Sequence, residues 1–162
     1  MRAVLSLALA LTASIACGAD IAGRYADKGT VVAANDGTAS REMSLHALLQ
    51  LDLDYTQVHD RYQETDYVEF RQGRETLEAR MCAADDTLRS HGAWSRGEGY
   101  RPSEAEVMLQ LRGPRHAGDS FMLVMSLVGD GKLLQVDVTR ISATTAGPVT
   151  RRVGTYLFPR VD

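Results

Sequence analysis

The residues that most often carry catalysis are scattered along this chain. The four histidines are His46, His59, His91 and His116, and no two of them stand at the spacing of metal ligands. The sequence contains no glycine-rich phosphate loop and no Gly-x-Ser-x-Gly, His-Glu-x-x-His or Cys-x-x-Cys motif. Enzymatic chemistry needs acid, base and nucleophile groups that converge. We therefore predict a protein that is not an enzyme and has no metal site and no cofactor.

Carboxylates are densest between residues 52 and 66, where Asp52, Asp54, Asp60, Glu64 and Asp66 stand. A calcium-binding loop uses such oxygen ligands. This stretch lacks the glycine and the terminal glutamate of an EF-hand, and aromatic and aliphatic residues interrupt it. A solvated loop between strands is the better interpretation.

The segment 96–102 has a composition typical of a contact surface. It contains two glycines, two arginines and Tyr100, and the only tryptophan, Trp94, precedes it. Tyrosine, tryptophan and arginine are enriched at interface hot spots, and glycines let a loop reshape against a partner. We predict that the binding surface includes Trp94, Tyr100 and Arg101. The alternative is an ordinary connection between two strands.

The elements that position these residues are predicted to be β-strands, because apolar and polar residues alternate along most of the chain. Residues 45–49 also have helix propensity. Sequential strands joined by tight turns predict an antiparallel meander of roughly eight to ten strands, forming a barrel or a strongly curved sheet. The predicted strands are 21–26, 30–34, 45–55, 67–71, 77–82, 88–94, 105–111, 121–128, 134–139 and 153–158.

One side of these strands is expected to form the core. The predicted inward residues are Leu49, Leu51, Leu53, Leu77, Val107, Leu109, Leu111, Leu123, Val136, Val138 and Leu157.

The N-terminus has the pattern of a secretory signal peptide. Arg2 precedes an uncharged run over 3–16 that is too short to span a bilayer. We predict a signal peptide within 1–19, cleaved before Cys17 or after Ala19, and a single β domain over 20–162. Ser14-Ile15-Ala16-Cys17 is similar to a bacterial lipobox, so cleavage before Cys17 implies an acyl anchor there. The predicted location is the periplasm, or the membrane through this lipid.

Composition narrows the partners of the folded domain. The formal net charge is −3, and a nucleic-acid partner normally requires a basic surplus, so we predict none. Cys82 is the one cysteine after Cys17, which excludes an intramolecular disulfide in the domain. A buried small side chain is its commoner interpretation, and a reactive thiol the alternative.

Gly23-x-Tyr25 near the mature N-terminus and the closing run Gly154-Thr155-Tyr156-Leu157-Phe158 resemble small bacterial lipocalin-like envelope proteins. That resemblance implies a barrel with a small apolar ligand inside it. The chain also resembles, in size and strand content, the β-barrel lysozyme-inhibitor lipoproteins. The disulfide that many of them carry has no counterpart here, so their activity is not carried over.

Two functions follow as expectations. The first is an exported, non-catalytic envelope protein that binds a small apolar ligand in a lipocalin-like barrel. The alternative is an inhibitor or immunity-type protein that binds a partner protein through its loops. An interior filled by the protein's own side chains favours the second.

Overall fold

The computed structural model describes residues 19–34, 42–53, 62, 64–113 and 118–161. The described residues begin at Ala19, so Cys17 and residues 1–18 of the predicted signal peptide lie outside them. The described elements include a short helix, α1 (Leu45–Leu49), a 3₁₀ turn (Arg96–Glu98) and eleven strands. The strands are β1 (Gly23–Ala26), β2 (Lys28–Ala34), β3 (Glu42–Ser44), β4 (Tyr67–Gln72), β5 (Thr76–Cys82), β6 (Leu88–Ser95), β7 (Tyr100–Pro102), β8 (Val107–Leu111), β9 (Asp119–Val128), β10 (Leu133–Thr144) and β11 (Gly147–Val161).

These strands form one antiparallel sheet, which confirms the predicted mainly-β meander with a curved sheet. The order is β6-β5-β4-β1-β11-β10-β9-β8-β7, and β2 and β3 branch from β11. Two strands share the same edge of β11: its residues 154–157 pair with β2, and its residues 160–161 pair with β1.

The sheet does not close into a barrel, so the barrel is not the architecture found. The main strand order ends at β6 and β7, which the 3₁₀ turn connects. β7 has only three residues and ends in Pro102, which has no N–H to donate to a further strand. A short edge strand of this kind has few backbone groups that could hydrogen-bond to β6 and close the sheet.

The strand predicted over 45–55 is wrong at its start, where α1 forms instead. The Ser44 hydroxyl accepts a hydrogen bond from the Ala47 N–H at 3.0 Å, which is the N-cap geometry. The Asp27 carboxylate accepts from the His46 N–H at 2.8 Å. These two acceptors satisfy N–H groups at the start of the helix, and all five helical residues are buried.

The last strand is longer than predicted. Pairing between β10 and β11 extends to Thr144 and Gly147 at the hairpin, and β11 continues past Pro159 to Val161. Pro159 does not end the strand because the ladder resumes after it: the Arg160 N–H donates to the Lys132 carbonyl at 2.8 Å.

The inner side of the sheet holds the core, and most of the predicted core residues are buried there. Leu53 is half-buried against this core. Leu157 is an exception, because Tyr156 and Phe158 on either side of it are the buried residues. The largest fully buried side chains also include Tyr25, Tyr62, Tyr100, Phe70 and Phe121.

Gly29 packs without a side chain against one of these core rings. A Cβ atom added at Gly29 would lie 2.4 Å from the Phe158 ring and 2.6 Å from the Leu157 carbonyl oxygen. We expect Gly29→Ala to lower the free energy of unfolding by about 1–3 kcal/mol, since the ring must move within a packed core. Urea unfolding measures this. Gly73→Ala is the control, because its nearest atom would be 3.4 Å away. Equal midpoints for the two variants would contradict the prediction.

Candidate functional site

Tyr100 is part of the core, so the expectation of an exposed aromatic at this position is wrong. Its side chain is fully buried, and its residue pairs with Leu109 of β8 on the inner side. The hydroxyl donates to the Gly73 carbonyl at 2.8 Å, and burial raises the pKa of Tyr100. Tyr100 thereby ties β7 to the β4–β5 turn and is not available to a partner.

Trp94 is half-buried on the inner side of the edge strand β6. It pairs with the buried Leu77 of β5 and packs against the core. The indole also covers Gly92, where an added Cβ would lie 2.6 Å from the ring. These contacts give Trp94 a packing role at the open edge of the sheet.

Arg101 is exposed and lies on the outer side of β7, opposite Met108 of β8. Strand alternation places its neighbours Tyr100 and Pro102 inward. The structure therefore puts the three predicted binding residues on two sides of the sheet, with Arg101 alone on the outer side.

Arg101 lines a surface cleft of about 450 Å³. The other lining residues come from the 3₁₀ turn, from β8 and from the residue after β8: Arg96, Gly97, Glu98, Gly99, Gln110 and Arg112. We call this the arginine cleft. Sequence reasoning found the part contributed by 96–101 but missed Gln110 and Arg112, which the β7–β8 pairing brings to the same side.

The arginines of the arginine cleft differ in whether a carboxylate pairs with them. Arg96 forms an ion pair with Glu75, at 3.4 Å between Nε and Oε2, and donates the same Nε–H to the Arg74 carbonyl at 3.1 Å. Among the residues that the structure describes, no carboxylate forms an ion pair with Arg101 or Arg112.

The one carboxylate of the cleft is already bound by its own turn. Glu98 Oε2 accepts from the Ser95 N–H at 3.1 Å and from the Ser95 hydroxyl at 2.8 Å, as in a capping box. These hydrogen bonds lower the pKa of Glu98. With three guanidinium groups and one carboxylate, the lining is positive on a chain whose net charge is −3.

Gly99 fixes the close approach of this turn to β8. Its φ of 101° is in the left-handed region that favours glycine, and an added Cβ would lie 2.5 Å from the Gln110 carbonyl oxygen. The Gln110 N–H donates to the Gly99 carbonyl at 3.0 Å. The backbone therefore holds the turn, with Arg96 and Glu98, against the strand that carries Gln110.

Apolar side chains continue the outer side next to the arginine cleft. Met108 pairs with Val124 of β9, and Gln110 pairs with Met122. Met108, Met122 and Val124 are all half-buried. We call Arg96, Arg101, Arg112 and these three residues the outer patch. It combines cations with flexible and branched apolar groups.

The apolar part of the outer patch ends at β10, where the polar Asp137 pairs with Val124 of β9. The Asp137 carboxylate accepts from Gln135 at 2.7 Å, from Arg152 at 3.0 Å and from the Thr155 hydroxyl. Burial raises the pKa of Asp137, but these hydrogen bonds outweigh it, and the net pKa is lowered. The charge of Asp137 is thus internally compensated and limits the outer patch on this side.

A second cleft, of about 270 Å³, shares Arg112 with the arginine cleft. Its other lining residues lie at the start of β9 and around the β10–β11 hairpin: Gly118, Asp119, Ser120, Ile141, Ala143 and Pro148. Asp119 is in an ion pair with Arg140. Arg112 therefore stands where the two surface depressions meet.

A buried polar cluster underlies α1, and sequence reasoning missed it. Asp27, which is 1% exposed, accepts from the Ser44 hydroxyl at 3.0 Å as well as from the His46 N–H. His46 Nδ1 lies 2.9 Å from the Thr65 hydroxyl. Burial raises the pKa of Asp27 to about 6, against the lowering effect of these hydrogen bonds and of Lys28. Because Ser44 also caps the helix, the cluster acts as a structural joint between β1, β2 and α1.

Other sequence expectations have simpler outcomes. Cys82 is a free, buried cysteine, which agrees with its interpretation as a buried small side chain. The described residues contain no group of three or more histidine, cysteine or acidic side chains arranged to hold a metal ion. Within the same residues, no helix has the length and apolar character needed to cross a membrane. His59, His116 and part of the 52–66 stretch lie outside the described residues.

Comparisons with protein-family models, with curated proteins and with solved structures found no match. The resemblance to lipocalin-like envelope proteins therefore stays a prediction.

Proposed function

We propose that this chain is a non-catalytic binding protein of the bacterial envelope that holds a partner protein on its outer patch. The observation that carries the proposal is the arginine cleft beside Met108, Met122 and Val124. Arginine and methionine are enriched at protein interfaces relative to the rest of the surface. The outer patch retains the predicted role of Arg101 and includes neither Trp94 nor Tyr100.

The interior supports this surface role over a small apolar ligand held within the sheet. Large side chains, among them Tyr25, Phe70, Phe121 and Phe158, are fully buried on the inner side. The arginine cleft and the second cleft are on the outer side and have charged residues in their walls. Packing by the protein's own side chains leaves the outer patch as the better place for recognition.

A capture experiment with matched variants tests this function. Tagged protein is incubated with envelope extract, and the captured protein is purified and titrated against wild type and variants. We expect Met108→Ser/Met122→Ser to weaken binding about tenfold or more, because it removes apolar contact area from the patch.

The control is Val32→Ser/Leu88→Ser, which changes two exposed apolar residues on β2 and β6. It should bind as wild type does. A partner that binds both double variants with wild-type affinity would show that the outer patch is not the contact surface.

We also propose that the signal peptide is cleaved before Cys17, leaving a lipid-anchored protein. Ala19 contributes to the folded domain: its N–H donates to the Ser103 carbonyl at 2.7 Å, and its carbonyl accepts from Gln72 Nε2 at 2.7 Å. The Ile21 N–H donates to the other end of the same amide at 2.9 Å. Cleavage after Ala19 would remove two of these three hydrogen bonds, so the contacts favour the earlier site.

Intact-mass measurement on protein from the cell envelope tests the cleavage site. The expected species begins at Cys17 and carries the mass of the attached acyl groups. Cys17→Ala should abolish the lipid mass, whereas the control Cys82→Ala should retain it. A mature protein that begins at Asp20, or one that retains Met1, would contradict the proposal.

A further inference from the structure

The arginine cleft contains two guanidinium groups whose charge the described residues leave uncompensated. Arg101 projects from β7, and Arg112 follows the end of β8 on the same outer side, since residues 108, 110 and 112 alternate with the buried residues 107, 109 and 111. The cleft has a carboxylate of its own in Glu98, but Ser95 holds it through two hydrogen bonds. Ser95 therefore holds the carboxylate of this turn, and no carboxylate of a described residue forms an ion pair with Arg101 or Arg112.

The chemistry that matches this arrangement is a carboxylate. A guanidinium presents a planar fork of N–H donors that fits the two oxygens of a carboxylate, and such charge-assisted pairs are roughly twice as strong as neutral hydrogen bonds. Gln110, between Arg101 and Arg112 in the lining, adds a neutral side-chain amide that can donate to the same group. The cleft thus offers three donor side chains, and its one carboxylate, Glu98, is already hydrogen-bonded to Ser95.

The size and surroundings of the cleft indicate a segment of a protein as the occupant. A volume of about 450 Å³ exceeds what a single small anion fills, and the adjoining Met108 and Met122 offer apolar contact beside the charges. An anionic membrane surface is recognised by clusters of about four to eight basic residues. Here only three arginines line the cleft, and Arg96 is already paired with Glu75.

We propose that the arginine cleft binds the carboxylate side chains of an acidic segment in the partner protein, with Arg101 and Arg112 as the anchoring residues. This inference rests on the proposed function and specifies the chemistry of the partner. Charge of this kind steers encounter, so binding should weaken as salt is added.

The test uses a fluorescein-labelled peptide of alternating glutamate and serine, titrated with the full chain and followed by fluorescence anisotropy. We expect Arg101→Ala/Arg112→Ala to weaken binding at least about tenfold, since hydrogen bonds to charged groups are the stronger class. The matched control is Arg151→Ala, an exposed arginine of β11 that lies outside the cleft. It should bind as wild type does. Urea unfolding of each variant confirms that the comparison is between folded proteins.

Three results would overturn the inference: no peptide binding by wild type, whether or not phosphatidylserine vesicles bind; undiminished binding by Arg101→Ala/Arg112→Ala; or equal loss in the Arg151→Ala control. Its failure is distinguishable from failure of the proposed function. A captured partner that depends on Met108 and Met122 but not on the arginines would leave the outer patch in place and remove only the acidic chemistry. Arginine-dependent peptide binding with no captured protein would support the carboxylate chemistry of the cleft and count against the proposed function.

Discussion

Leu109→Asp should strongly destabilise the protein. Leu109 is fully buried in the middle of β8, between Tyr100 of β7 and Leu123 of β9. A carboxylate there has no partner and loses its hydration, at an expected cost of about 3–5 kcal/mol in the free energy of unfolding. Small domains have only about 5–15 kcal/mol in total. The loss therefore removes a large fraction of the stability.

Thermal unfolding followed by circular dichroism measures this effect. The matched control is Leu88→Asp at the start of β6, where the leucine is 49% exposed and a carboxylate stays hydrated. Its melting temperature should stay close to that of wild type. If the two variants melt together, Leu109 is not the core residue that the strand alternation makes it.

The strands around Leu109 were predictable because one physical rule governs them. Successive side chains of a strand point to opposite sides, so a sheet with one buried side gives a period of two in the sequence. The run 105–111 has that period, and Val107, Leu109 and Leu111 are buried as it predicts. Tight turns at Gly73 and at Gly129–Gly131 set the antiparallel order of the strands that they join.

The helix over 45–49 was not predictable from period alone. Leu45, Ala47 and Leu49 fit a strand, and they fit a short helix that is buried all round equally well. What decides between the two is the set of acceptors at Ser44 and Asp27, which satisfies the first N–H groups of the helix. Asp27 is seventeen residues from Ser44, so a local reading of the sequence does not contain this information.

The site was predictable only in part, for a related reason. The composition of 96–102 indicated a contact surface, but it did not tell which residues point inward. That depends on the register between β7 and β8, which sets Tyr100 against Leu109 and Arg101 against Met108. The same register brings Gln110 and Arg112 to Arg101, so the cleft arises from pairing and not from one loop.

The contribution of Asp27 to the stability of the protein should fall as the pH rises from about 4 to about 6. Burial raises the pKa of this carboxyl in the folded protein to about 6, from an ordinary value of 3.8. Between these values the folded chain still holds a proton that the unfolded chain has released. The contribution of Asp27 to the stability therefore decreases as the pH rises over this range, and it does not change further above about pH 6. The difference corresponds to about 3 kcal/mol at about 1.4 kcal/mol per pKa unit.

Asp27→Asn should remove this slope, because the amide does not titrate while its oxygen can still accept from Ser44 and from the His46 N–H. The measurement is urea unfolding of both proteins between pH 4 and pH 7, and the difference between their curves isolates Asp27 from Lys28, Asp66 and the other charges nearby. Asp130→Asn is the matched control: Asp130 is exposed, and asparagine tolerates its left-handed φ of 57°. This control should keep the wild-type slope. Parallel curves for wild type and Asp27→Asn would mean that Asp27 ionises in the folded protein as it does in the unfolded chain, and that the joint between β1, β2 and α1 holds its charge without cost.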